Sequence, residues 1–331
     1  MRVLVTGATG FIGSALCTEL CRDGYEVAAF RRPTSYMGNI QHLSMAVTTG
    51  DLTDEDSVEQ AVASFRPEVI FHLGAQMVPA PTVNRIMQVN VLGTRAVFLA
   101  ALKHGVNRVV MMSSACTLGL PELYRRHNRD VVIINESRVQ KAEMPLWPFA
   151  RSKYLAEMEA QSAATGGLDT VIVNPFMVVG PGDRYRRKSS ILMQLKNHPP
   201  GVMVRGGINV IPVDDVVRGL RHACRYGRSG ERYLLCGENL TFMEFCRICA
   251  EAGGFEEPKL LYDEDRLAGL LARMGIGKQL KIECLDDNIL RYTNRFFFYD
   301  PKKSRVELHL PPAGDIRDTI EKAYRWFEEN A

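Results

Sequence analysis

The chain has no long hydrophobic run, no dominant charge and no metal-type cysteine spacing, and each absence removes a class of function. No apolar stretch approaches the roughly 18 residues of a membrane span, so none is expected. The 41 Lys and Arg against 38 Asp and Glu leave a formal net charge of +3. A balance so near neutral gives no field that would draw in nucleic acid or a membrane surface. The eight cysteines are scattered. Cys17 and Cys21 lie four apart on one helical pattern, and Cys246 and Cys249 form a C-x-x-C. A zinc site needs two further ligands at matched spacing. None lies nearby, so reduced, packed thiols and no metal are expected. No repeat or low-complexity segment is found. A strand-like run, Val3-Leu4-Val5, begins almost at once, so no leader is expected and the expected compartment is the cytoplasm.

What is present is ordinary in bulk and informative in order. The 331 residues are 46% hydrophobic and 24% charged, as in soluble globular proteins, and suit one large or two intimately joined domains. Short apolar strands are expected at 2–6, 26–30, 45–49, 69–73, 108–113 and 169–174. Helical patterns fall between them, near 11–22, 54–65, 84–104 and 149–165. This alternation predicts an α/β fold with a doubly wound parallel sheet covered on both faces. Beyond about 176 the pattern loosens. Gly180-Pro181-Gly182-Asp183 is a turn cluster, and helices are expected at 241–252, 263–273 and 315–329 among short strands. The reading is a sheet domain over 1–175 and a smaller, interleaved lobe over 176–331 that partly returns to the sheet.

Thr6-Gly7-Ala8-Thr9-Gly10-Phe11-Ile12-Gly13 joins the first strand to the first helix. Glycines there let the backbone turn sharply and approach a pyrophosphate, while the helix start offers free N–H groups. The placement between strand and helix separates this run from a tight turn without a ligand. The second strand ends in Arg31-Arg32, where an acidic residue would bind the adenosine ribose hydroxyls. Arginines suit a 2′-phosphate instead, which favours NADP(H) with NAD(H) as the alternative. As solvated loop charges they would carry no such preference. Asp51 and Leu52 follow the third strand and fit an adenine. His72-Leu73-Gly74-Ala75 closes the fourth, where small residues let a dinucleotide pass.

Taken together, the chain resembles the extended short-chain dehydrogenase/reductases, including the NAD-dependent epimerase/dehydratase group. Further motifs carry the resemblance: Asn90-Val91-Leu92-Gly93-Thr94, Ser113-Ser114, Ser152-Lys153 with Glu157, Asn174-Pro175 leading to Gly180-Pro181-Gly182, and Val213-Asp214-Asp215. Thr117-Leu118-Gly119, Arg151 to Glu157, and Gly230 to Thr241 look closest to the hopanoid-associated epimerase and dihydroflavonol-reductase-like branch. The resemblance implies a Rossmann-type fold, a small-molecule substrate and a homodimer through helices 84–104 and 149–165. Cofactor contacts are implied at Gly7, Thr9, Gly10, Phe11, Ile12, Gly13, Leu73, Gly74, Ala75, Asn90, Lys153 and Pro175.

In that family a Ser or Thr holds the substrate oxygen, a Tyr passes the proton, and a Lys four residues later binds the nicotinamide ribose. Ser114 and Lys153 fit two of these roles, but position 149 is Phe. A phenyl ring neither donates nor accepts a proton. Tyr154 follows Lys153 directly, about 100° round the helix, and should face elsewhere. Three explanations stay open: another group takes the proton (Ser114, Tyr124, a water or the substrate itself), the protein binds with little turnover, or the position was altered deliberately.

On the substrate side the implied residues are Ser114, Asn174, Met177 and Arg205. Many nucleotide-sugar members carry an Arg shortly before Val-Asp, where this chain has Ile208. Arg205, Arg184, Arg186 or Arg187 could reach a phosphate, although the basic stretch 184–188 also reads as a solvated face or subunit contact. Met144, Leu146 and Trp147, with Met177 and Val178, suit either a less polar ligand or ordinary packing. The favoured reading is an NAD(P)-dependent oxidoreductase acting on a carbonyl or secondary alcohol. Sugar epimerisation or dehydration with a tightly held cofactor is the second, and a cofactor-binding protein without chemistry the third.

Overall fold

Val3, Leu4 and Val5 are all buried, because β1 (Arg2–Thr6) runs through the middle of a sheet covered on both sides. That burial on two faces is why the strand reads as a continuous apolar run rather than an alternation. The structure, a computed structural model, describes residues 1–77, 82–122, 131–138, 147–184, 190–262 and 294–330. The helix expected at 263–273 lies outside the described residues.

The central sheet adds β2 (Glu26–Arg31), β3 (Ala46–Thr49), β4 (Val69–His72), β5 (Arg108–Met112), β6 (Asp169–Pro175) and β10 (Arg232–Leu235). Its order is β10-β6-β5-β4-β1-β2-β3, and every pairing is parallel. Val3 and Val5 face one core cluster, shared with α1 (Phe11–Arg22) and α7 (Val213–Tyr226). Leu4 faces another, shared with α2 (Glu55–Phe65), α4 (Gly93–Lys103) and α5 (Pro148–Thr165). Asp54, expected inside the second helix, instead caps it by accepting from the Ser57 N–H, which satisfies one orphan donor of the first turn.

The segment expected as one helix over 84–104 is α3 (Val83–Met87), a π turn at Gln88–Leu92, and α4. By length and composition alone, Val83–Lys103 is long and apolar enough to cross a membrane, contrary to the reading of the sequence. More than half of its apolar part is buried inside the protein, where the helix packs as part of the core.

After β6 the chain leaves the sheet. β7 (Met177–Val179), β8 (Val202–Val204), β11 (Glu238–Thr241), β12 (Leu260–Tyr262) and β13 (Arg295–Phe297) are short, while β9 (Gly206–Pro212) spans seven residues. β9 pairs with β7, β11 and β13, while β8 pairs with β12. A third apolar core, including Val210, Phe245, Ile320 and Tyr324, packs these strands with α6 (Ile191–Asn197), α8 (Phe242–Gly253) and α10 (Ile316–Glu329). A short α9 (Lys302–Glu307) precedes α10. β10 then closes the main sheet at its β6 edge.

Candidate active site

Four loops leave the carboxyl ends of β1, β4, β5 and β6, which are neighbours in the sheet. Ligands of open α/β sheets bind outside those ends. The glycine run follows β1. Gly7 has φ +70°, and a Cβ there would meet the Gly74 nitrogen at 2.8 Å. A Cβ on Gly13 would overlap the Gly7 carbonyl oxygen. These close approaches require glycine. Gly10, at the start of α1, supplies no side-chain cap to the helix, so the end is left to another partner.

Behind the turn, buried polar side chains fix the loop after β4. Thr6 Oγ1 and His72 Nδ1 are 2.7 Å apart, and Thr6 Oγ1 accepts from the Gly74 N–H. His72 Nε2 meets Thr94 Oγ1 at 2.9 Å. Burial, helped by the nearby Lys153 charge, pushes the His72 pKa down to about 3, so the ring is neutral. Asn90, in the π turn, accepts from the Gln76 N–H and donates to Ser152 Oγ at 2.9 Å. Ser152 in turn donates to the Phe149 carbonyl. π turns interrupt helices frequently at functional sites, and this one turns Asn90 inward.

Phe149, Lys153 and Glu157 occupy one face of α5 at four-residue steps. Lys153 is buried, and its Nζ donates to the Met112 carbonyl at 2.8 Å. Burial lowers its pKa to about 8, with Cys116 and Glu157 acting in the opposite direction. Glu157 is also buried. Its Oε1 receives Ser113 Oγ at 2.5 Å, Thr117 Oγ1 at 2.9 Å and Asn174 Nδ2 at 2.6 Å, while Arg232 lies 3.6 Å from Oε2. Asn174 also donates to the Ser114 carbonyl. Its own Oδ1 is buried without a partner, an open acceptor at the end of β6. Ser114 is the N-cap of a 3₁₀ turn, Ala115–Leu118, and its Oγ accepts from the Cys116 N–H. Burial pushes the Cys116 thiol up to about 12, so it is no thiolate nucleophile.

The family description "NAD dependent epimerase/dehydratase family" matches residues 3–236. The chain belongs to the NAD-dependent epimerase/dehydratase family. Sterol demethylase protein B of Methylococcus capsulatus is 29% identical over 99% of this chain and 99% of its own. A dihydroflavonol 4-reductase of Arabidopsis thaliana is 31% identical over 74% of this chain and 68% of its own. The crystal structure of gox2253 matches with a TM-score of 0.83 at 29% identity, covering 100% of this chain and 98% of that one. A Tyr→Phe mutant of UDP-glucuronic acid 4-epimerase from Bacillus cereus, in complex with a fluorinated UDP-sugar and NAD, shares the fold with a TM-score of 0.75. It is 19% identical, with full coverage of both chains.

Within this epimerase/dehydratase-family chain, Ser114, Lys153, Asn174 and Pro175 converge at the ends of β5 and β6. Asp51 stands beside Leu52, which touches Gly74 and Gly93. The Asp51 carboxylate accepts from Thr53 and faces Arg85 at 3.3 Å. Burial works against ionisation there, but Thr53 and Arg85 outweigh it and hold the carboxyl below its usual range. Arg31 is folded onto its own loop, donating to the carbonyls of Arg32 and Pro33, which leaves Arg32 as the second arginine. Met177 pairs with Val210. Arg205 stands just before β9, five residues ahead of Val210 along the chain. Ile208 is buried in β9. Tyr124, Met144, Leu146, Arg186, Arg187 and Lys188 lie outside the described residues.

Sequence reasoning missed an aromatic group beside the site. Phe176 follows Pro175, stacks on Phe297 at 5.2 Å and meets Tyr299 in a tilted contact at 5.3 Å. Trp147 packs on the same cluster. Tyr299 donates to the Ala115 carbonyl at 3.5 Å, and burial raises its pKa well above the usual value. The local signal was the aromatic run Phe296-Phe297-Phe298-Tyr299, about 130 residues beyond the end of α5.

Proposed function

We propose that this chain is an NAD(P)-dependent oxidoreductase acting on a carbonyl or secondary alcohol of a small, rather apolar substrate. The observation that carries this reading is the buried Lys153 on one helix face with Phe149. The lysine frame of the family is kept and the hydroxyl is not. The residues fit a dinucleotide: the glycine turn admits a close backbone approach, and Asn174 Oδ1 is an unused buried acceptor. When bound, the dinucleotide supplies or receives the hydride. Lys153 holds the ribose side of that group, and its pKa of about 8 lies where a proton is exchanged readily near neutral pH. Ser114 orients the substrate oxygen and passes the proton that position 149 cannot. Phe176, Met177 and Trp147 give the substrate side an apolar wall.

The exposed Arg32, with Arg31 held against its own loop, favours NADP(H) over NAD(H). The exposed Leu92, Leu99 and Leu102, with Met158 on α5, support a homodimer through these helices, since apolar side chains clustered on a surface mark contact sites. The nucleotide-sugar reading has less support, because buried Ile208 offers no charge to a diphosphate. Isothermal titration with NADPH and NADH is the direct test. Micromolar or tighter binding of NADPH, with NADH weaker, is expected. No heat with either dinucleotide would sink the proposal.

A further inference from the structure

Two segments remote in sequence meet over the glycine turn. The first is the loop after β2. Its Asn39 Nδ2 donates to the Thr9 carbonyl at 3.3 Å. Its Tyr36 ring lies over Gly38, where any Cβ would overlap the ring. The second is the turn after β7. Positions where Cβ atoms of Gly180 and Gly182 would stand are 3.7 and 3.8 Å from the Phe11 ring. The Arg184 N–H donates to the Gly182 carbonyl at 2.8 Å. The two segments then touch each other: the Arg184 guanidinium sits 4.4 Å from the centroid of the Tyr36 ring.

We infer that Tyr36 and Arg184 form a clasp that retains the dinucleotide. They are positioning residues, since they contact each other and not the reacting atoms. The inference rests on the reading that Thr9–Gly13 binds the pyrophosphate. The loop after β2 is anchored to that turn through Thr9, and the turn after β7 packs on it through Phe11. Their cation–π contact closes the span. Both residues are exposed, so the contact is a weak one that opens and closes readily. A contact of this kind between exposed groups is worth about two- to fivefold in an equilibrium. It acts on escape of a bound group more than on its arrival, as most affinity differences do. Gly38 is then a requirement of the clasp, because a side chain there displaces the Tyr36 ring.

The test is stopped-flow release of NADPH, followed by its fluorescence, from the wild type and from Tyr36→Ala, Arg184→Ala, the double variant and Gly38→Ala. Each single variant is expected to speed release about two- to fivefold, with association rate and melting temperature unchanged. The double variant should be no faster than the quicker single one. Tyr36→Phe, which keeps the ring, should release at close to the wild-type rate. Unchanged release across the series, in a wild type that binds NADPH, overturns the clasp and leaves the dinucleotide reading standing. A wild type that binds no dinucleotide overturns both. A melting temperature that falls in proportion to the release rate assigns the pair a merely structural role and also overturns the clasp.

Discussion

Phe149→Tyr adds one oxygen to the site and should change the rate more than anything else about the protein. The new hydroxyl would stand one helical turn from Lys153 on the same face of α5. General acid–base catalysis by a placed side chain contributes about 10²–10⁴-fold, which is about 2.7–5.4 kcal/mol of barrier. The lysine frame is already in place: Lys153 is fixed by the Met112 carbonyl and Glu157 is fixed by three donors. The added group therefore needs little rearrangement. Position 149 is half-buried, so the cost to stability should stay within about 0.5 kcal/mol, as for surface changes. Single-turnover loss of NADPH absorbance with a panel of aliphatic and aromatic ketones reads the chemical step. NADPH fluorescence titration reads binding separately. The expected result is a rate at least 100-fold higher with NADPH affinity changed less than threefold. An unchanged or lower rate at unchanged affinity would refute the reasoning, because it would mean that a hydroxyl at position 149 does not take over the proton step from Ser114.

Lys153→Met should weaken NADPH binding by tenfold or more in titration. It should also alter the pH dependence of stability. The folded pKa of Lys153, about 8, lies below its ordinary 10.5. The unfolded chain then binds more protons between those values, so stability rises with pH across that window. Denaturant melts from pH 8 to 10.5 should show this rise in the wild type and a flatter profile in Lys153→Met. Glu157→Ala removes the acceptor shared by Ser113, Thr117 and Asn174; Thr117 and Asn174 still donate to the Ser114 carbonyl, so Ser113 is the donor left unsatisfied. At about 1–3 kcal/mol for a buried unsatisfied group, a loss of at least about 1 kcal/mol in urea unfolding is expected. Glu157→Gln, which keeps a carbonyl oxygen, should lose clearly less.

How much was legible in the sequence followed from local pattern. The six strands before 176 and the helices between them were readable because buried parallel strands are short apolar runs framed by amphipathic helices. The π turn at Gln88–Leu92 was not, because the apolar period runs through it unchanged. The strands of the smaller lobe span as few as three residues, too short for any periodicity to declare itself. The placing of Phe149 and Lys153 on one side of α5 was visible because the spacing of a helix face is written locally. The partners of Glu157, the Arg85 beside Asp51 and the Tyr36–Arg184 contact were not. Each joins residues whose proximity only the tertiary fold creates.

The return of β10 to the main sheet bears on how this protein can be cut. A fragment ending at Pro175 would leave β6 with a bare row of N–H and C=O groups, because its outer partner comes from Arg232–Leu235. Exposed strand edges of this kind recruit other chains. β10 is also stapled from further along: Lys303 donates to Glu231 and to the Arg232 carbonyl, and Tyr233 donates to Glu307. The smallest piece that retains a finished sheet therefore extends through Leu235, well into the smaller lobe. Recombining one relative's sheet with another's smaller lobe would require three crossover points, after β6, before β10 and after β10, rather than one.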